Sequence, residues 1–102
     1  MLERDVESRF RKAVEACGCR CLKFVSPGFA GVPDRIVLIP GGKICFVELK
    51  APGKRERPRQ RYVQGLLRKM GFEVFSSVDD KRLPEVVARI RGMAECGREV
   101  RE

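Results

Sequence analysis

The chain has 102 residues, 43% hydrophobic and 35% charged, with 22 Lys and Arg against 14 Asp and Glu for a net charge of +8. That length holds one compact domain, so two-domain mechanisms are excluded, and a fold this basic calls for a polyanionic partner, nucleic acid foremost. Histidine is absent, which removes Ser-His-Asp and Cys-His catalysis, His-based zinc hydrolysis and any imidazole base; carboxylates, Lys, Tyr and Cys remain.

No apolar run approaches the ~20 residues that span a bilayer, and the first ten residues carry Glu3, Asp5 and Glu7 where a signal peptide needs an apolar core. A soluble, cytoplasmic protein with no membrane partner is expected. The cysteines at 17, 19, 21, 45 and 96 are an odd number without an export signal, so reduced thiols are expected. Cys17, Cys19 and Cys21 lack the two-residue gap of zinc knuckles, and small buried side chains at a helix end and along a strand explain them better.

In chain order, Val6, Phe10, Ala13, Val14 and Cys17 recur at helical spacing and predict an amphipathic helix over about 3–17, stopped by Gly18. Residues 20–25 alternate as a strand, and Ser26, Pro27, Gly28, Phe29, Ala30 and Gly31 form a loop. The β-rich runs 35–39 and 43–50, separated by Pro40, Gly41 and Gly42, predict a hairpin at the centre of the sheet. A basic loop, 51–61, then runs into a helix with Pro58 in its first turn and an apolar stripe of Tyr62, Val63, Leu66, Leu67 and Met70 ended by Gly71. Residues 72–78 make a strand reached by a parallel crossover, and Pro84 opens a last helix carrying Val86, Val87, Ile90 and Met93, with a polar, frayed tail from about 95. The result is a single α/β domain over 1–102, a mixed sheet of about four strands flanked by helices in the order αβββαβα.

Chemistry concentrates on the second hairpin strand. Alternation places Ile44, Phe46, Glu48 and Lys50 on one face and Cys45, Val47 and Leu49 on the other. If Pro40, Gly41 and Gly42 form a three-residue connection, Ile39 faces Lys43 and Asp34 falls opposite Glu48, with Cβ atoms ~5 Å apart. A two-residue loop would pair Asp34 with Leu49 and turn Glu48 to the other face, so a three-residue turn with a glycine at positive φ, or a bulge of the same parity, is predicted. Two carboxylates that close repel unless a proton or cation lies between them. With oxygen donors only, Mg²⁺ or Mn²⁺ suits them, and either can activate water for phosphodiester hydrolysis while Lys50 orients that water or offsets transition-state charge.

Gly31-Val32-Pro33-Asp34, followed about a dozen residues later by Glu48-Leu49-Lys50, resembles the PD-(D/E)xK nuclease signature. The stretches KFVSPGFAGVPDRIVL and FVELKAPG, with Pro58-x-Gln60 ahead of GLLRKMGFEV, resemble the short stand-alone, phage-type members of its VRR-NUC subfamily over nearly the whole chain. The resemblance implies a restriction-endonuclease-like core and a metal-dependent, structure-selective DNA endonuclease encoded by a prokaryote or phage. It implies Asp34 and Glu48 as metal ligands, the Leu49 carbonyl as another, and Lys50 as the catalytic lysine. It also implies a glutamate on the first helix, best matched by Glu7 with Glu3 as rival, where the alternative is helix-dipole stabilisation. Gln60 matches the family's glutamine; it either orients Lys50 or the water, or caps the helix.

The basic residues Lys54, Arg55, Arg57, Arg59 and Arg61 adjoin this chemistry and are expected, with Lys23 and Arg35, to contact DNA phosphates. With one Tyr and six Phe, mostly at core-like positions, base stacking is not expected. By resemblance the chain is expected to act as a homodimer on branched DNA, four-way (Holliday) junctions foremost, with a flap- or nick-directed or restriction-like repair nuclease, or a non-catalytic DNA-binding module of the same fold, as alternatives. Phe29 and Phe75 are candidate interface residues, and no small-molecule cofactor is expected.

Overall fold

A computed structural model describes residues 2–101, with side chains through residue 97. Seven elements follow in the predicted order: α1 (Glu3–Glu15), β1 (Arg20–Lys23), β2 (Arg35–Ile39), β3 (Lys43–Leu49), α2 (Pro58–Lys69), β4 (Glu73–Val78) and α3 (Leu83–Arg101). The sheet order is β1-β2-β3-β4, with β1, β2 and β3 antiparallel and β4 parallel to β3. The two hairpin strands therefore occupy the centre of the sheet.

The helices form where apolar spacing predicts them. In α1, Val6, Phe10 and Val14 lie one turn apart and are all fully buried. The Asp5 carboxylate closes the first turn by accepting the Leu2 N–H at 3.0 Å. At the other end Gly18 takes a φ of 85°, a left-handed stop that costs glycine little. One sheet face presents Cys21, Val37, Cys45, Val47 and Leu49, which join Val6, Phe10, Val14, Val86, Val87 and Ile90 in a single core under α1 and α3. The thiols are part of that packing. Burial pushes Cys21 up to about 11 and Cys45 to about 12, so both are neutral core side chains.

Beyond Glu95, where a frayed tail is expected, α3 continues to Arg101. Gly97 lets it do so: a Cβ there would run into the Pro40 carbonyl and Gly41. The helix thus packs directly on the hairpin turn.

On the opposite sheet face α2 covers only the β4 side. Its buried stripe differs from the predicted one: Val63 and Gln64 are buried, whereas Tyr62 and Met70 are exposed. Gln64, a polar residue outside the apolar stripe, takes a place on the sheet-facing side, with Gln60 half-buried one turn before it. Phe75 also departs from expectation. It packs in the core and cannot serve as an interface residue. Beyond the reach of α2, Leu22, Leu38 and Ile44 leave an apolar patch exposed on β1, β2 and β3. Among the described residues, no helix is long and apolar enough to cross a membrane.

Candidate active site

The hairpin register decides the site. Ile39 pairs with Lys43 and Arg35 with Val47, and continuing that ladder by one step sets Asp34 opposite Glu48. The turn is the three-residue one, with Gly41 at φ 95° and Gly42 at φ 78°. At the far end the Asp34 N–H donates to Glu48 Oε1 at 3.2 Å. The Leu49 N–H in turn lies 3.4 Å from both Asp34 oxygens. The two acids are therefore locked to each other through backbone donors, carboxyl beside carboxyl.

Glu48 is buried and Asp34 half-buried. Glu48 is 3% exposed, and burial raises its carboxyl above the usual range, opposed by the hydrogen bond and charge of Lys50. Asp34 is pushed up to about 7, first by burial and then by the Glu48 charge, with the Leu49 N–H and Arg35 pulling the other way. Paired, desolvated, mutually repelling carboxylates are the setting in which a bound cation removes a penalty.

Lys50 and Gln60 complete a closed polar triangle around Glu48. Lys50 Nζ lies 3.2 Å from Glu48 Oε2 and donates to Gln60 Oε1 at 3.2 Å, and Gln60 Nε2 donates to Glu48 Oε2 at 3.1 Å. The same Gln60 Oε1 accepts the Arg57 N–H at 2.9 Å. Gln60 Oε1 therefore meets both the first turn of α2 and the Lys50 ammonium.

Beside Asp34 opens a cleft of about 210 Å³ lined by Glu3, Arg4, Glu7, Asp34, Arg35 and Leu49. Glu7 and Glu3 both reach it from α1. Glu7 Oε1 is held by Arg35 at 3.4 Å and Arg11 at 3.6 Å, while the charge of Glu3 contributes to raising Asp34. Among the described residues, no three His, Cys, Asp or Glu side chains are gathered closely enough to hold a metal by themselves. The donor set still fits a hard cation: two carboxylates that repel, a backbone carbonyl at Leu49, and a cleft with room for water. Mg²⁺ and Mn²⁺ suit such a set, and Mg²⁺ ordinarily keeps several of its waters.

Two neighbours of the site carry no signal in the sequence. Along β4, Phe75 pairs with Val47 and Val78 with Leu49, so Ser76 and Ser77 together oppose Glu48 in a bulge. Ser77 takes φ 53° and donates through its hydroxyl to Glu56 Oε1 at 3.0 Å. This tethers the basic loop beside the triangle, where the Glu56 charge helps to raise Glu48.

The expected phosphate contacts divide into two groups. Lys23, Lys54, Arg55, Arg57, Arg59 and Arg61 are exposed, Arg59 with its guanidinium already engaged. Arg35 instead faces Glu7 and donates to the Asp34 carbonyl at 3.0 Å. The Arg59 guanidinium lies 4.6 Å from the Phe29 ring centre and 5.3 Å from that of Tyr62, and its Nε donates to the Ala30 carbonyl at 2.9 Å.

No family model matches the sequence. The chain is 44% identical over 72 residues to a protein described as "Putative nuclease p44" from Acyrthosiphon pisum secondary endosymbiont phage 1, a match covering 71% of this chain and 77% of that one. A solved structure described as a "VRR_NUC domain" is similar with a TM-score of 0.76 and 28% identity, over 84% of this chain and 94% of the other. The mixed sheet with its flanking helices is the restriction-endonuclease-like α/β fold.

Proposed function

Because the chain belongs to the VRR-NUC family of nucleases, we propose that it is a divalent-metal-dependent DNA endonuclease that hydrolyses phosphodiester bonds in branched DNA, four-way junctions foremost. One observation carries this reading. Asp34 and Glu48 converge across the hairpin with Lys50 and Gln60 bound to the same carboxylate, a set that a purely DNA-binding fold has no need to hold together.

In this reading Asp34, Glu48 and the Leu49 carbonyl hold Mg²⁺ or Mn²⁺, with Glu7 reaching the ion directly or through water. When bound, the ion lowers the pKa of a coordinated water and polarises the phosphate, chemistry that a chain without histidine cannot otherwise supply. Lys50 lies beside Glu48 with its ammonium fixed by Gln60, so it meets the charge that builds on the phosphorane-like transition state without reorganising. Gln60 holds that ammonium in place and keeps Glu48 Oε2 occupied, which leaves Oε1 on the Asp34 side. The exposed bases of the 51–61 segment hold the flanking phosphates.

Cutting both strands of a branch calls for two sites, and a C2 homodimer supplies them. The bare patch of Leu22, Leu38 and Ile44 supports pairing of two copies through this face. Sedimentation of wild type and Leu38→Glu tests it: a dimer that the charge disperses is expected.

The activity is tested by incubating purified protein with labelled four-way junctions, flaps and linear duplex, with Mg²⁺, Mn²⁺ or EDTA, alongside Lys50→Ala. Metal-dependent junction cleavage lost in the variant is expected. Binding with no cleavage of any substrate would instead leave a non-catalytic module.

A further inference from the structure

We propose that Phe29 and Tyr62, joined through Arg59, form a stacking platform for an unpaired nucleobase beside the candidate active site. This rests on the nuclease reading and adds that the branch presents an unpaired base to the platform, as a flap does or a junction does when its centre opens.

The chain has one tyrosine and six phenylalanines. Phe10, Phe46 and Phe75 are buried, while Phe29 is 42% and Tyr62 56% exposed. These two come from separate segments, a loop and a helix, yet share a single guanidinium. Their places are fixed. Arg59 Nε holds the Ala30 carbonyl, and Gly31, at φ 92°, lies so close to Arg59 that a Cβ would fall 2.7 Å from its Cγ. Exposed rings held rigidly lose little entropy on binding a third plane.

Location supplies the ligand's identity. Phe29 precedes Asp34 by five residues, and Arg59 adjoins Gln60, so the platform is built from the two segments that deliver these site residues. In the chain segment that carries Arg59 and Tyr62, Lys54, Arg55, Arg57 and Arg61 are exposed. Aromatic faces amid phosphate-binding cations are the means by which proteins hold single-stranded nucleotides. A paired base in a duplex has both faces covered by its neighbours, so only a flap, gap or opened branch point can use the platform. The sequence places most of the aromatics at core-like positions; Tyr62, part of the predicted apolar stripe, is instead exposed beside Phe29.

The test uses Phe29→Leu and Tyr62→Leu, which keep bulk against Arg59, on a flap substrate carrying 2-aminopurine at the first unpaired position and on a fully paired duplex, in EDTA. Wild type should quench the fluorophore. Each variant should lose the quenching and bind the flap substrate about 5- to 100-fold more weakly, with less than about a twofold change on duplex. Equal losses on both DNAs, no loss on either, or a changed sedimentation coefficient of the variants would overturn the platform and leave a clamp or a subunit contact. Cleavage by wild type in Mg²⁺ is scored separately. Quenching without cleavage sinks the nuclease reading alone, and cleavage with unaltered variant binding sinks the platform alone.

Discussion

Asp34 and Glu48 hold each other from opposite strands: the Asp34 N–H donates to Glu48 Oε1 at 3.2 Å, and Leu49, next to Glu48, returns its N–H to the Asp34 carboxylate at 3.4 Å. The backbone thus brings two acids together although their charges and their burial both oppose it. The cost is local, and it sits where a cation would relieve it.

Asp34→Asn removes one of the two repelling charges and keeps an acceptor for the Leu49 N–H. In EDTA the variant should melt at a higher temperature than wild type, while the stabilisation that Mg²⁺ or Mn²⁺ gives wild type should vanish and cleavage should fall at least about 100-fold. Differential scanning fluorimetry with and without metal reads the first two effects. A variant that melts lower than wild type in EDTA and is still stabilised by metal would remove Asp34 from the metal site.

The same pair sets a pH dependence. Asp34 titrates near 7 in the fold against an ordinary 3.8, because of burial and Glu48, and Glu48 is shifted the same way. Between these values the folded chain keeps a proton that the unfolded chain has released. The stabilisation tied to that proton is full below about pH 4 and is lost as pH rises through about 7. Metal-free protein should therefore melt lower at pH 8 than at pH 5.5, and the rise in melting temperature produced by Mg²⁺ should be larger at pH 8. A metal-free melting temperature that climbs through this window contradicts the shifted pair.

Gln60 joins a helix cap to the lysine through one oxygen. Gln60→Ala loses both, so stability should drop by about 1 kcal/mol, the usual worth of a cap, with kcat falling more than about tenfold while DNA affinity is unchanged. Gln60→Glu keeps the acceptor oxygen but replaces the donor to Glu48 with a third negative charge. Repulsion from buried Glu48 should offset the retained cap, so the variant should be no more stable than Gln60→Ala and recover little of the kcat, measured by urea melts and single-turnover cleavage.

Much of this arrangement was legible in the chain because the connection between the two hairpin strands admits few registers. Once Pro40, Gly41 and Gly42 form a three-residue turn, Asp34 must meet Glu48, and strand alternation then brings Lys50 to the same side. The bulge at Ser76 and Ser77 was not legible, since its register is set by the parallel crossover and by the Ser77–Glu56 contact rather than by any local turn signal. Periodicity also missed the buried face of α2, because Gln64, 2% exposed, occupies a position that a hydrophobicity pattern marks as polar and outward. Helical spacing puts Tyr62 on the apolar stripe of α2, and Phe29 reads only as a candidate interface residue in its loop. Their exposure depends on Arg59, whose stacking partners lie at i+3 on the helix and thirty residues back in the chain.

Glu7 and Glu3 both line the cleft beside Asp34, but only Glu7 is tied to Arg35, the residue that also donates to the Asp34 carbonyl. This link joins Glu7 to the backbone of Asp34 through the Arg35 side chain. Glu7→Gln should reduce Mn²⁺ affinity, followed by calorimetry on the DNA-free protein, by about tenfold, whereas Glu3→Gln should change it by less than about twofold. The reverse ranking would make Glu3 the helix ligand.

The basic residues separate by what already holds them. Lys54, Arg55, Arg57 and Arg61 are exposed and free to neutralise phosphates, so replacing any one with Gln should weaken binding of all DNA forms alike. It should also reduce the slope of log affinity against log salt by about 0.9 for each phosphate no longer neutralised, measured by anisotropy over about 50 to 200 mM KCl. Arg59 is stacked between two rings and bonded to Ala30, so Arg59→Gln should leave that slope nearly unchanged and instead loosen the loop that leads to Asp34, lowering the melting temperature and the single-turnover rate. A flat slope for the wild type would mean that phosphate neutralisation contributes nothing, and that the +8 charge has another use.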